Sequence, residues 1–173
     1  AIAQEDITFL SGVPSWMLVV LKRVLEMQGK TNLREVWPNF QLFIHGAVNF
    51  EPYRPLYREL CGKQDMHYLE TYNASEGFFA LQDRKNHNDM LLMTDYGVYY
   101  EFVPLNKLEA PEEHAVPLNS VQLNQAYALV ISTNGGLWRY LIGDTIEFTS
   151  LRPYRIRIIG RTKHFINAFG GEL

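Results

Sequence analysis

One cysteine, Cys61, stands in 173 residues, so no internal disulfide can form and no cysteine–histidine set has zinc-ligand spacing. The chain is therefore expected in a reducing cytoplasm. No apolar run approaches the roughly eighteen residues needed to span a bilayer, and Glu5 and Asp6 occupy the place where a signal peptide would carry basic residues. Neither a G-x-S-x-G elbow nor a Walker loop is present, which argues against a serine hydrolase and a P-loop NTPase. Charge of one sign is lacking as well: Lys and Arg number 16 against 19 Asp and Glu, for a net −3, which removes any global case for nucleic acid or an anionic membrane.

What charge there is lies unevenly. Residues 151–173 carry Arg152, Arg155, Arg157, Arg161 and Lys163 against Glu172, a balance of +4 that leaves −7 on the rest. An anion site is therefore sought near the C-terminus. With 47% hydrophobic residues, the chain can build one sizeable core or two small ones. It begins at Ala1 rather than Met and stops at Gly170-Gly171-Glu172-Leu173, so both ends look cut.

Apolar residues recur at helical spacing from Val13 to Met27, with Pro14 suited to the first turn and Gly29 to the stop. Phe40–Ile44 and Met66–Tyr72 read as strands around a helix-compatible stretch, Arg54–Cys61, which predicts a parallel βαβ unit. Ligands of such units gather at the carboxyl ends of the strands, which would place Gly46 and Ser75 at one rim. Beyond residue 86 the segments Met90–Thr94, Gly97–Val103, Ala126–Thr133, Thr145–Thr149 and Tyr154–Ile159 have strand composition, and Asn134-Gly135-Gly136 marks a turn. The predicted class is α/β, a parallel βαβ portion followed by an antiparallel sheet or small β-barrel. The expected division is an α/β part over 1–86, a β part over 87–160 and a hinge over 161–173. Leu105–Asn124, with Pro104, Pro111 and Pro117 in or beside it, is expected to be an exposed loop.

Three groups of residues suggest chemistry. Ser75-Glu76-Gly77 follows a predicted strand and offers a hydroxyl for a phosphate oxygen and a hard carboxylate for Mg²⁺. Taken alone, Ser75 reads first as the N-cap of a helix beginning at Glu76. Gly143-Asp144 reads alone as a hairpin turn, or as a carboxylate offered to both hydroxyls of a ribose. Arg161 follows an apolar strand and has the planar donor fork that suits ribose or phosphate, whereas Arg152, Arg155 and Arg157 read as the solvated face of a half-buried strand.

Together, Tyr72-Asn73-Ala74-Ser75-Glu76, Tyr140-Leu141-Ile142-Gly143-Asp144 and Gly160-Arg161 resemble, in order and spacing, the motifs of the adenylate-forming superfamily of acyl-CoA synthetases, adenylation domains and luciferases. Serine before the glutamate, Gly12-Val13-Pro14-Ser15-Trp16 and Tyr99-Tyr100-Glu101-Phe102-Val103-Pro104 are similar to its acyl-acid amido synthetase branch, known from plant auxin and jasmonate conjugation. The chain resembles the central part of such an enzyme. The resemblance implies ATP and Mg²⁺ as cofactors, a small carboxylic acid and an amine or amino acid as substrates, and an acyl-adenylate between them. It implies Tyr72 beside the adenine, Ser75 on the α-phosphate, Glu76 on the metal, and Asp144 and Arg161 on the nucleotide. His45-Gly46-Ala47-Val48 resembles the segment laid against the adenine, with His45 where the family has its first glycine. Arg139 precedes Tyr140, where the superfamily's basic residue follows the aromatic. The rival reading is a non-enzymatic RNA-binding or protein-interaction domain built on the basic C-terminal strand and exposed aromatics such as Tyr140 and Tyr154.

Overall fold

The computed structural model describes residues 2–62 and 66–162. They form two compact units that meet in sequence at Asn73–Ala74. Among the described residues no helix is long and apolar enough to cross a membrane.

The first unit contains β1 (Phe9–Gly12), α1 (Pro14–Gln28), β2 (Leu42–His45), α2 (Arg54–Leu60) and most of β3 (His67–Ala74). The strands run parallel in the order β1, β2, β3, with Gly12 opposite His45 and His45 opposite Glu70. Two successive βαβ crossings thus stand where the sequence suggested one. β1 escapes a reading by periodicity because it is four residues long and no residue in it is buried.

α1 starts at Pro14, whose missing N–H is no loss at a helix start, and stops at Gly29 in the left-handed region (φ 62°). There the N–H of Lys30 donates to Leu25 and that of Gly29 to Glu26, closing the last turn. Leu18, Leu21, Val24 and Leu25 are buried with Leu33, Trp37, Phe40 and Phe43. Trp16 and Val20, also in the apolar repeat, are exposed instead. An aromatic cluster holds α2: the Phe43 and Tyr57 rings stack at 4.5 Å, and the Tyr57 hydroxyl donates to the Pro14 carbonyl at 2.9 Å.

The second unit contains β4 (Gly77–Leu81), β5 (Met90–Leu92), β6 (Val98–Pro104), α3 (Pro111–His114), β7 (Val116–Pro117), β8 (Ala126–Thr133), β9 (Tyr140–Leu151) and β10 (Tyr154–Arg161). These strands form an open antiparallel sheet, ordered β4-β5-β10-β9-β8-β6-β7. Phe102 packs edge-on against Phe148 at 5.0 Å, with Tyr127 against both. Residues 105–124 depart from the expected exposed loop. Leu105, Leu108 and Ala115 cover Val103, Ala128 and Val130, and Val116–Pro117 pairs with β6 as an edge strand. The prolines keep this strand short, and the apolar side chains between them fold it onto the sheet.

Gly143-Asp144 also departs from the simplest reading. No hairpin turn occurs there: the pair lies inside β9, where Gly143 takes φ 95° and the ladder to β8 shifts register between Ala128 and Val130. A glycine tolerating positive φ lets one long strand bulge without ending.

Candidate nucleotide site

At the carboxyl rim of the parallel strands, Gly46 follows β2 directly. A Cβ at this position would lie 2.5 Å from the Thr71 carbonyl oxygen, so only glycine lets the loop lie this close to β3. Ala47 next to it holds φ 70°, a strained choice for a residue with a side chain. The Thr71 hydroxyl donates to the His45 carbonyl at 3.2 Å and fixes the entry to the loop. Val48, half-buried, completes the segment.

His45 anchors that loop from below. It is buried, stacked on Phe50 at 4.0 Å, and its Nδ1 has no hydrogen-bond partner among the described residues. Burial, reinforced by the Arg54 charge, pulls the imidazole down to about 4, so the ring is neutral at physiological pH. Beside it in register, Glu70 is pushed up by burial and by the Glu51 charge.

Tyr72 is buried in β3. Ser75 and Glu76 form the tight turn between β3 and β4, and β4 begins at Gly77, so Ser75 caps no helix. Ser75 is exposed and Glu76 half-buried.

In the second unit, Asp144 and Arg161 are direct cross-strand partners of β9 and β10, although 17 positions separate them. The Arg161 Nε donates to the Asp144 Oδ1 at 3.1 Å, with the carboxylate 13% exposed and the guanidinium 47%. The Thr162 N–H donates to the Gly143 carbonyl at 2.7 Å, clamping the backbone beyond Arg161 onto the residue before Asp144. A second shift of the ladder, between Ile158 and Gly160, brings these ends into register.

Arg139 is committed elsewhere. It sits at φ 48°, donates through Nε to Glu101 at 3.1 Å and through Nη2 to the Glu112 carbonyl, and its N–H reaches the Ser132 hydroxyl. It joins β6, α3 and β8.

Arg152 and Arg157 are exposed, as expected of a solvated face, but Arg155 is not. Arg155 is only 6% exposed and makes a two-pronged pair with Asp83 at 2.6 and 2.8 Å, with Asp89 at 3.7 Å. The physical reason is the register shift between Arg155 and Ile156, which breaks the two-residue alternation and buries both neighbours. Arg84 and Thr149 also donate to Asp89. Asp83 lies 72 positions from Arg155, and no local spacing announces the pair. Arg157 pairs with Glu147 at 2.8 Å.

Most of the 161–173 hinge segment, with Lys163 and His164, lies outside the described residues. The others fall into two groups, the 46–48 loop with the neighbouring strand that carries Tyr72, and the Asp144–Arg161 pair. The turn of Ser75 and Glu76 stands at the end of β3.

The GH3 family N-terminal domain matches residues 3–66 and the GH3 family central domain residues 91–161, together well over half of the chain. A jasmonoyl–L-amino acid synthetase, JAR4 of Nicotiana attenuata, is 32% identical over 124 residues, 65% of this chain and 20% of that protein. The indole-3-acetic acid-amido synthetase GH3.10 of Arabidopsis thaliana is 40% identical over 62 residues, 30% of this chain and 10% of that protein. The chain thus spans a fifth or less of these two relatives. Among solved structures, the GH3.15 acyl acid amido synthetase superposes with a TM-score of 0.64 at 20% identity, over 84% of this chain and 27% of that one. A 2-hydroxyisobutyryl-CoA ligase in its postadenylation state reaches 0.67 at 16% identity, over 92% and 34%. Two successive domains of one family, matched in order along a chain with the fold of adenylate-forming enzymes, place this protein in the GH3 family.

Proposed function

We propose that the protein to which this chain belongs is an AMP-forming ligase that activates a small carboxylic acid as its acyl-adenylate and passes the acyl group to an amine, in the first instance an amino acid. The observation that carries this reading is the Asp144–Arg161 pair. A carboxylate and a guanidinium distant in sequence are set side by side by two register shifts and a positive-φ glycine. Relatives named as amido synthetases support the second half-reaction.

In this reading, Asp144 accepts from the ribose hydroxyls and Arg161 donates to the nucleotide from the facing strand. The Gly46-Ala47-Val48 backbone lies along the adenine with Tyr72 on the adjoining strand. The Ser75 hydroxyl donates to an α-phosphate oxygen, orienting phosphorus for attack by the substrate carboxylate as the bond to the β-phosphate breaks and pyrophosphate leaves.

Glu76 fits a magnesium ion. It is a half-buried carboxylate in the turn next to Ser75, and Mg²⁺ characteristically takes one or two carboxylates and completes its shell with phosphates and water. Bound there, it would neutralise charge on the phosphates. Residues 161–173 are proposed as the hinge to a further domain. The lone Cys61, buried in the first unit, is compatible with a cytoplasmic setting. The burial of Arg155 in an ion pair with Asp83 takes one of the basic side chains away from the rival RNA-binding reading and favours the ligase.

Carboxylate-dependent exchange of pyrophosphate into ATP by the full-length protein tests the proposal. Exchange that requires a carboxylic acid and falls by about a hundredfold or more in Glu76→Gln is expected; exchange indifferent to that change would remove Glu76 from the reaction.

A further inference from the structure

A histidine placed directly before the 46–48 loop invites a polar role, yet its ring nitrogen Nδ1 is buried without a hydrogen-bond partner among the described residues. The imidazole is held by its faces instead. Phe50 stacks on it at 4.0 Å with 20° between the planes, and Phe43 at 6.0 Å with 29°.

That stack joins the two ends of the loop. His45 and Phe50 are buried, whereas Ala47 and Asn49 between them are exposed. Ala47 and Val48 hydrogen-bond to no other described residue, so their place is inherited from the ends. The Thr71 hydroxyl and the tight fit of Gly46 fix the entry. At the exit, the Phe50 carbonyl accepts from the Tyr53 and Arg54 N–H groups at 2.9 and 3.0 Å, which roots it in α2. The Phe50 ring also meets Tyr68 at 5.0 Å and carries the Arg54 guanidinium 5.0 Å from its centroid. Between these anchors Ala47 holds φ 70°, and such strain persists only where the surroundings fix it.

We propose that His45 and Phe50 are positioning residues whose stacked rings clasp the two ends of the 46–49 loop and order it before any ligand arrives. A loop ordered in advance loses less freedom on binding, so its exposed backbone can meet a flat base without rearrangement. What position 45 must supply is then a flat ring, and neither a proton nor a hydrogen bond. The use of the loop for a base rests on the nucleotide reading; the clasp does not.

The test uses the ¹⁵N-labelled chain and three variants. His45→Phe keeps a flat ring, His45→Leu keeps apolar bulk without one, and Phe50→Leu removes the ring at the other end. Relaxation of the Ala47 and Val48 amides reads the clasp with no ligand present. Order parameters of a rigid backbone, about 0.85, are expected in the wild type and in His45→Phe, falling below about 0.6 in both leucine variants. Unmoved signals of α1 and β3 will show that those variants are folded. Calorimetry with AMP then reads the use of the loop. Affinity should fall about fivefold in the leucine variants, the scale of one ring pair, and stay within about twofold in His45→Phe. Loop order equal in all four proteins, or lost in His45→Phe as fully as in His45→Leu, would overturn the clasp. AMP affinity indifferent to the loss of loop order would overturn its positioning role. An ordered, ring-dependent loop in a wild type that binds no AMP would remove the nucleotide reading and leave the clasp standing.

Discussion

Replacing Arg155 with methionine would show whether β10 is held by charge or by apolar contact. The change removes a guanidinium that is 7% exposed, its two short bonds to Asp83 and its 3.7 Å contact with Asp89. Asp83 is 32% exposed and can rehydrate, which discounts its share to that of a surface pair, about 1 kcal/mol. Asp89 is 13% exposed and keeps Arg84 and Thr149, so it loses part of a buried network rather than all of it. Stranding a fully buried charge costs about 3–5 kcal/mol; the net expectation here is therefore about 2–3 kcal/mol. Urea unfolding at neutral pH measures it. Adding Asp83→Asn to the methionine variant should recover part of the loss, with a coupling of about 1 kcal/mol or more in the cycle. The hydrogen bonds from Arg155 hold the Asp83 carboxyl below its ordinary range. A depressed carboxylate contributes stability that is complete above its unfolded value, about 3.9, and is lost as pH falls through the folded one. Wild-type protein should thus lose stability below about pH 4 more steeply than the variant. A methionine variant of unchanged or higher midpoint would refute the reasoning and show that the burial cost of the pair cancels its attraction.

Two further outcomes follow from buried groups in the first unit. Burial and the Arg54 charge lower His45 from 6.5 to about 4, so the unfolded imidazole takes a proton over a window in which the folded one does not. Stability should fall by roughly 1–3 kcal/mol as pH drops through that window; His45→Phe should flatten this limb in urea titrations, and an unchanged slope would contradict it. The Cys61 thiol is fully buried and pushed up to about 12 by that burial. Its modification by a thiol reagent should await unfolding and track urea concentration, and rapid labelling in native buffer would be contrary.

Elements with strong local signals were legible in the sequence. The Pro14 start and Gly29 stop mark α1 within a residue, and Ala126–Thr133 reads as the strand β8 it is, because its first six residues are apolar and turn residues bound it. The strand, helix, strand alternation also gave the right class for the first unit, and the β-rich composition after residue 86 pointed to antiparallel strands while leaving sheet and small barrel undecided. What failed to show depends on contacts between distant residues. β1 is too short and exposed to carry a period. The burial of Arg155 requires a register shift and a partner in the β4–β5 connection. The proline-rich tract 105–124 reads as an exposed loop because the residues that pack, Leu105, Leu108 and Ala115, follow no regular spacing. Of the candidate site, the pairing of Asp144 with Arg161 stayed hidden. Motif resemblance singled out each residue separately, but their apposition across β9 and β10 depends on a bulge that no short motif encodes.

The account turns on Asp144 as the ribose acceptor, and a calorimetric titration of the protein with AMP, with and without Mg²⁺, beside a folded Asp144→Ala variant tests it most directly. Each charged hydrogen bond lost from the diol is worth about 1.5–3 kcal/mol, so binding in the variant should weaken by at least about tenfold. Saturable AMP binding that survives Asp144→Ala unchanged would contradict the account and place the nucleotide elsewhere.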